Sequence, residues 1–376
     1  MLDTTDPNAL IVETARRFAQ ERLAPTAAAR EKAGRIEPEI IRELGEMGFL
    51  GATNSSDWGG SEIPYETYAQ VIEEIAAGDG SVSTLVSVHN APTCEILEKF
   101  GTPAQKERWL RPMASGEVVA SFALTESGAG SDAAGIRTRA ERTNSGYTIN
   151  GSKQFISNAA VGKTTILFAI TDPAAGKKGI SAFVVANDTP GFSVARVEHK
   201  LGQKASDSCA LTFDNMQIND DQRIGAEGEG LKIALSTLES GRIGIAAQSV
   251  GMARAALEYA IGYAKERKQF GRPIIEHQAV GFRLVEAKTK LAAARELTLR
   301  AARLKDAGEP ALEAAAMAKL FASEAAEAIC TAAIQTLGGY GYLADYPVER
   351  IYRDVRVCQI YEGTSDVQKI ILQRML

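Results

Sequence analysis

Apolar positions in the first third of the chain recur at helical spacing. Asp6-Pro7 reads as an N-cap followed by proline at the first helical position, ahead of Leu10, Ile11, Ala15, Phe18 and Ala19. A second helix opens at Pro38, carries Ile40, Ile41, Leu44 and Met47, and ends near Gly48. Trp58-Gly59-Gly60-Ser61 breaks the pattern, and helices are expected again over 65–77 and 82–100. Thr102-Pro103 caps a further short helix, with Pro112 marking its end. Near Val118 the period changes. Short runs at 119–124, 136–142, 147–149, 164–170, 180–185, 192–197 and 210–213 read as strands, separated by turns such as Asn144-Ser145-Gly146 and Asp172-Pro173. No helix intervenes between them, which argues against a doubly wound nucleotide-binding unit and for a compact β-sandwich or barrel. From about Gly230 the helical period returns, over 231–267, 276–307, 311–337 and 348–357. Long helices on short links imply a bundle. The expected fold is mainly α with a central β-domain: a helical domain at 1–117, a β-sandwich or barrel at 118–229, and a C-terminal four-helix bundle at 230–376.

Composition narrows the function classes. A chain of 376 residues has room for roughly two or three domains. Hydrophobic residues make up 45% and the net charge is −5 with no basic block, so nucleic acid is not the expected partner. Met1–Asp6 shows no signal-peptide pattern, and no uncharged apolar run reaches the ~18 residues of a membrane span. Cys94, Cys209, Cys330 and Cys358 are far apart, as expected of free thiols in the cytoplasm or another reducing, soluble compartment. His89, His199 and His277 are scattered too, so no metal centre is expected.

Two stretches can carry chemistry. In the run 359–368, Glu362 stands between Tyr361 and Gly363, ahead of a helix expected to start with a capping box at Ser365-x-x-Gln368 and to bury Val367, Ile370 and Ile371. Gly363 lets a substrate approach the backbone, and a helix N-terminus collects free N–H groups. A carboxylate base beside an anionic cofactor fits this pattern; so does a solvated glutamate on a turn. The second stretch is Phe122-Ala123-Leu124-Thr125-Glu126-Ser127-Gly128-Ala129-Gly130-Ser131-Asp132, a strand entering a glycine-rich turn. Its N–H groups can cradle an anion, or the turn can be purely structural. It is neither a P-loop nor a Gly-x-Gly-x-x-Gly fingerprint.

Taken together with Phe155-Ile156-Ser157, the run 266–272 (Glu-Arg-Lys-Gln-Phe-Gly-Arg) and the run 335–339 (Gln-Thr-Leu-Gly-Gly), these stretches resemble the acyl-CoA dehydrogenase family over essentially the whole chain. The resemblance implies FAD as cofactor and oxidation of a fatty acyl-CoA thioester to its trans-2-enoyl-CoA. Glu362 resembles the family's base for the α-proton, with the β-hydride passing to flavin N5. The Glu362 N–H and a flavin ribityl hydroxyl would hold the enolate-like oxygen. Some relatives carry the base near the position of Gly241, where glycine cannot act; Glu239 lies two positions earlier. For the cofactor, Phe122, Leu124 and Thr125 resemble residues at the flavin's pyrimidine side, Ser131 one shared between FAD phosphate and CoA, and Phe155 and Ser157 positions often held by Trp and Thr. Arg267, Phe270, Gln278, Gln335, Gly338 and Gly339 resemble residues that reach the FAD of a neighbouring subunit; Thr364 and Asp366 resemble adenosine-diphosphate contacts. Glu239 and Arg242, with Ser131 and Gly363, resemble substrate contacts, although Arg242 is equally readable as a buried ion-pair partner. The family implies a homotetramer re-oxidised by an electron-transferring flavoprotein. A flavin oxidase offshoot and a non-catalytic flavin-binding scaffold are the alternatives; relatives that oxidise nitroalkanes tend to carry Asp where Glu362 stands. Medium-sized Leu85, Val86 and Val88, with Gly241, suggest a short-, branched- or medium-chain substrate.

Overall fold

The computed structural model describes residues 6–376; the start of the chain, in which no signal pattern is read, lies outside them except for Asp6. The N-terminal helices are α1 (Pro7–Phe18), α2 (Ala27–Ala33), α3 (Pro38–Glu46), α4 (Tyr65–Gly78), α5 (Gly80–Val88), α6 (Glu95–Phe100), α7 (Pro103–Gln105) and α8 (Arg111–Ala114). Asp6 caps α1 by accepting from the Asn8 N–H at 3.0 Å. The single helix expected over 82–100 is broken. Ala91 is extended (φ −133°, ψ 120°), because Pro92 disfavours the helical region for the residue before it. Pro112 does not end the last of these helices but lies inside α8.

The middle of the chain forms one eight-stranded sheet: β1 (Ala120–Ala123), β2 (Arg139–Arg142), β3 (Gly146–Ser157), β4 (Thr164–Ile170), β5 (Ile180–Ala186), β6 (Phe192–Val197), β7 (Ser208–Asn219) and β8 (Arg223–Ile224). The strand order is β6-β7-β3-β2-β4-β5-β8, and β1 pairs in parallel with β4. Alternation assigns two faces. Ile166, Phe168, Ala182 and Val184 pack towards Leu97, Leu110 and Met113 of the N-terminal helices. Leu167, Ala169, Phe183 and Val185 share a second core with Tyr147, Ile149, Leu211 and Phe213. The sheet therefore closes over on itself as a sandwich-like unit, docked on helices by its other side. Strands β3 and β7 are much longer than the expected 147–149 and 210–213. Register breaks between Ile149 and Gly151 and between Lys153 and Ile156 interrupt the alternation that would have revealed them.

The C-terminal part holds α9 (Gly230–Glu266), a tight hairpin of β9 (Lys268–Gln269) and β10 (Arg272–Pro273), then α10 (Gln278–Asp306), α11 (Leu312–Leu337), α12 (Pro347–Val355) and α13 (Ser365–Gln373). The bundle does not stand apart from the N-terminal helices. α4 is buried almost all round and shares one core with α9, α10 and α11. Its Glu73 and Glu74 are buried with it, matched by Arg254 (3.3 and 2.6 Å), Arg295 (2.8 Å) and Arg16 (3.0 Å). No described helix is long and apolar enough to cross a membrane, and all four cysteines are free and buried.

Candidate active site

Glu362 lies on the turn between α12 and α13 with φ 54°, followed by Gly363 at φ 88°. Left-handed backbone is uncommon for a residue with a Cβ, so the surrounding structure must hold it there. Two donors do so. Lys319 Nζ, from α11, donates to the Gly363 carbonyl at 2.6 Å. The Gln368 carboxamide donates to the same oxygen at 2.9 Å and to the Glu362 carbonyl at 3.3 Å. The expected capping box is thus not formed. Thr364, not Ser365, is the N-cap, accepting from the Val367 N–H at 3.2 Å, and Gln368 is committed to the turn. Gly363 is required by the turn itself: its φ is left-handed, and a Cβ would stand 2.7 Å from Gln368 Nε2.

The turn projects the Glu362 carboxylate onto Gly241 of α9. A Cβ at that glycine would lie 2.7 Å from Oε2 and 3.0 Å from the carboxyl carbon. Oε2 is buried and, among the described residues, has no hydrogen-bond partner. Burial raises the Glu362 carboxyl to about 7, against the opposing charges of Arg242 and Lys319. Arg242 is itself buried, and its Nε and Nη1 have no partner among the described residues. It is therefore not the structural ion-pair partner that the sequence left open. Glu239 points elsewhere: its carboxylate lies 3.7 Å from Lys305, as its offset from Gly241 along the helix requires.

Beneath the turn runs a buried polar chain that the sequence did not suggest. Tyr361 donates to Gln248 Oε1 at 2.5 Å. Gln248 donates in turn to Ser83 Oγ (2.9 Å) and Thr84 Oγ1 (2.5 Å), and Thr84 donates to Gln203 Oε1 (2.5 Å). Gln203 reaches the Asp354 carbonyl at 3.1 Å. Helices α5, α9 and α12 and the loop before β7 thus support one turn. Scattered Gln and Thr residues carry no local signal of this; only the fold brings them together.

The remaining predicted residues fall into two groups. On the β-domain, Phe122 packs on Phe168 with ring centroids 5.1 Å apart, and Leu124 is buried in the core below. The Thr125 carbonyl accepts from the Gln154 N–H at 2.9 Å, joining the glycine-rich turn to β3. At the β3 register break Phe155 takes φ 60° and is 63% exposed, two residues before Ser157. Ser131 is exposed on the turn, and Cβ atoms at Gly128 and Gly130 would meet nothing within 4 Å. A further unanticipated element anchors this turn. The buried Glu126 carboxylate accepts from the N–H groups of Arg137 (2.6 Å) and Thr138 (3.0 Å) and from Lys153 Nζ (2.8 Å).

The other group sits at the far end of the bundle. Arg267, Gly338, Tyr263 and Tyr340 line a cavity of about 370 Å³, with the Arg267 guanidinium 5.7 Å above the Tyr340 ring. Gln335 and Gln278 are exposed on α11 and α10, and Phe270, at φ 53° on the hairpin turn, is 95% exposed. Lys319 and Leu337 are separated by about 27 Å of helix, so this group is remote from the Glu362 turn. Asp366 is exposed at the start of α13. Among the described residues no His, Cys, Asp or Glu cluster could hold a metal ion.

This arrangement has close counterparts among known proteins. Residues 5–117, 121–216 and 228–376 match the N-terminal, middle and C-terminal domains of acyl-CoA dehydrogenase. An acyl-CoA dehydrogenase of Bacillus subtilis is 41% identical over 375 residues, covering 100% of this chain and 99% of the relative. Butyryl-CoA dehydrogenase of Megasphaera elsdenii superposes with a TM-score of 0.97 at 39% identity, over 100% of this chain and 99% of the other. A chain in a structure described as the electron transferring flavoprotein of Acidaminococcus fermentans does so with a TM-score of 0.97 at 41% identity, again over 100% and 99%. Matches of this extent, over all three domains, mean that the chain belongs to the acyl-CoA dehydrogenase family.

Proposed function

We propose that this protein oxidises a short-chain acyl-CoA thioester to its trans-2-enoyl-CoA with FAD as cofactor, and that Glu362 removes the α-proton. One observation carries the reading: a carboxylate with a buried, unpartnered oxygen, lifted to about 7 and held against Gly241, where any side chain would crowd it. A C–H beside a thioester is a weak acid. A desolvated carboxylate is a stronger base than one in water, and held on a fixed turn it is already oriented.

The residues present fit FAD. The turn 125–131 is open at Gly128 and Gly130, where a diphosphate or ribityl chain can lie against backbone N–H groups. Phe155 presents an exposed ring beside it, and Leu124, Thr125 and Ser157 supply backbone and hydroxyl groups for the isoalloxazine. When bound, FAD supplies the two-electron acceptor for the β-hydride. Arg267, Phe270, Gln278, Gln335, Gly338 and Gly339 form a separate open, cationic and aromatic surface. Its distance from the Glu362 turn supports a cofactor shared between subunits of a homotetramer, with Arg267 on the diphosphate. Arg242, Glu239, Ser131 and Gly363 serve the CoA ester, and Thr364 and Asp366 the adenosine diphosphate. The likeness to a chain from an electron-transferring-flavoprotein structure supports a flavoprotein of that kind as electron acceptor.

A short acyl chain fits the walls. At Gly244, one helical turn or about 5 Å beyond Gly241, a Cβ would stand 2.5 Å from Ser87 Oγ and 4.0 Å from the Tyr68 hydroxyl. Helices α4 and α5 thus pack directly on α9 about one turn from the Glu362 carboxylate, which supports a short acyl chain.

The test is anaerobic titration with butyryl-, isobutyryl-, octanoyl- and palmitoyl-CoA, following loss of the oxidised flavin band. The short thioesters should bleach the wild type and the long ones should not. The Glu362→Gln variant should keep its flavin and bleach at least roughly a thousandfold more slowly. Because the base acts only when ionised, the wild-type rate should rise with pH through about 7. Full bleaching by the variant would remove Glu362 from the chemistry.

A further inference from the structure

Lys319 is buried on the alanine-rich face of α11, and its one hydrogen bond is to a backbone carbonyl, that of Gly363. Among the described residues it has no carboxylate partner. An ammonium group taken out of water with no carboxylate bonded to it is costly, and a helix packing on alanines has no need of it. Its position gives it two effects on the site. It stands behind the turn with Gln368, so that the two hold the Glu362 and Gly363 carbonyls facing α11 and α13 and the Glu362 side chain facing α9. It also places a second cation, after Arg242, beside the same carboxylate.

We propose that Lys319 is a positioning residue for the reaction, whose ammonium group pins the Gly363 carbonyl and sets a positive charge behind the turn that carries Glu362. The inference rests on the reading of Glu362 as the base. The groups facing Glu362 are Arg242 from α9, Lys319 from α11 and the Tyr68 hydroxyl from α4, with Glu239 acting on Arg242. Lys319 is faced by Cys358, Glu362, Arg242 and Glu324. Burial lowers the Lys319 ammonium to about 8, so at neutral pH it is mostly charged. A nearby positive charge favours the ionised carboxylate. Removing it therefore raises the pH needed to ionise Glu362.

Two substitutions separate the donor from the charge. Lys319→Gln keeps an N–H donor without charge, and Lys319→Met keeps only the shape. The rate of flavin bleaching by butyryl-CoA is followed from mildly acidic to alkaline pH for both, with bound flavin per chain as the check on folding. The acid limb should move up by about one pH unit in both variants, a tenfold loss on the acid side. At alkaline pH Lys319→Gln should stay within about threefold of wild type, while Lys319→Met, with no donor for the Gly363 carbonyl, should remain roughly tenfold slower. If both profiles superpose on wild type, or fall uniformly without any shift of the acid limb, the inference is wrong. Glu362→Gln is measured alongside. If that variant bleaches normally, the base assignment fails and this inference goes with it. If it is inactive while the Lys319 profiles are unshifted, only the role of Lys319 is lost.

Discussion

Glu362, Phe155 and Phe270 all hold left-handed backbone, an arrangement that disfavours any side chain with a Cβ. Such strain persists only where neighbours over-determine it, and at Glu362 the neighbours are Lys319 and Gln368. The complementary residue is Gly241, whose missing side chain is the space the carboxylate occupies. Gly241→Ala should therefore leave the fold and flavin content intact but displace the base. The expected loss is roughly tenfold to a hundredfold in the rate of bleaching by butyryl-CoA, read by anaerobic stopped flow. A rate within twofold of wild type would mean that the carboxylate moves freely and is not pre-positioned. The pairing of Glu362 with a glycine at 241 is legible in the sequence once the family resemblance is seen. Lys319 and Gln368 are not. A lysine within an alanine-rich helix reads as a solvated position, and Gln368 at the third position after Ser365 reads as a capping residue. Each is recruited to a turn that is formed from another part of the chain.

The long helix α9 is the element on which the site is assembled, and glycines let three neighbours reach it. Gly241 admits the Glu362 turn, Gly244 admits Ser87 of α5, and Gly251 admits α4, where a Cβ would stand 2.1 Å from the Glu73 carbonyl. Glycine within a helix costs up to about 1 kcal/mol relative to alanine, so its use here is set by close approach. At Gly251 the obstacle is backbone, which cannot rotate away. Gly251→Ala should destabilise the protein by about 1–3 kcal/mol through overpacking, seen as a lowered thermal midpoint of the flavin-loaded protein. An unchanged or raised midpoint would show that α4 and α9 can separate at no cost. The helices of this bundle were the most legible elements. The expected ranges 231–267, 276–307 and 311–337 agree with α9, α10 and α11 to within two residues, because each is a long run of helix-forming residues with no proline inside it. The longest strands were the least legible. β3 and β7 carry polar residues on an exposed face and change register midway, so neither keeps a period of two for long. The break that hid β3 is also what turns Phe155 outward.

Over the whole molecule, the predicted cofactor contacts other than Thr364 and Asp366, which lie beside the Glu362 turn, divide into a set on the β-domain and a set at the far end of the bundle, with about 27 Å of α11 between the latter and the base. Sequence alone could supply both sets but not their separation, which depends on where the α11 helix points. The same end of the bundle carries exposed apolar side chains. Phe282 and Val285, one turn apart on α10, are 60% and 62% exposed, and Phe270 on the neighbouring hairpin is 95% exposed. Large apolar groups on one helix face are a liability in an isolated chain, and burial of about 25 cal/mol per Å² favours covering them. In the proposed homotetramer this face lies between subunits, and the Arg267–Gly338 surface completes a cofactor site on another chain. Assembly and flavin retention should then be lost together. Introducing charge with the double variant Phe282→Asp and Val285→Asp should convert a species sedimenting as a tetramer into smaller ones. It should also lower the flavin-to-protein absorbance ratio at least about tenfold at micromolar concentration, although neither residue is among the predicted flavin contacts. The helical content by circular dichroism should be unchanged, since both side chains point away from the core. A tetramer that persists with full flavin would show that this face of α10 is not an interface. Smaller species that still hold flavin fully would show that each chain binds its cofactor alone, leaving Arg267 and the 335–339 turn without the shared role proposed for them.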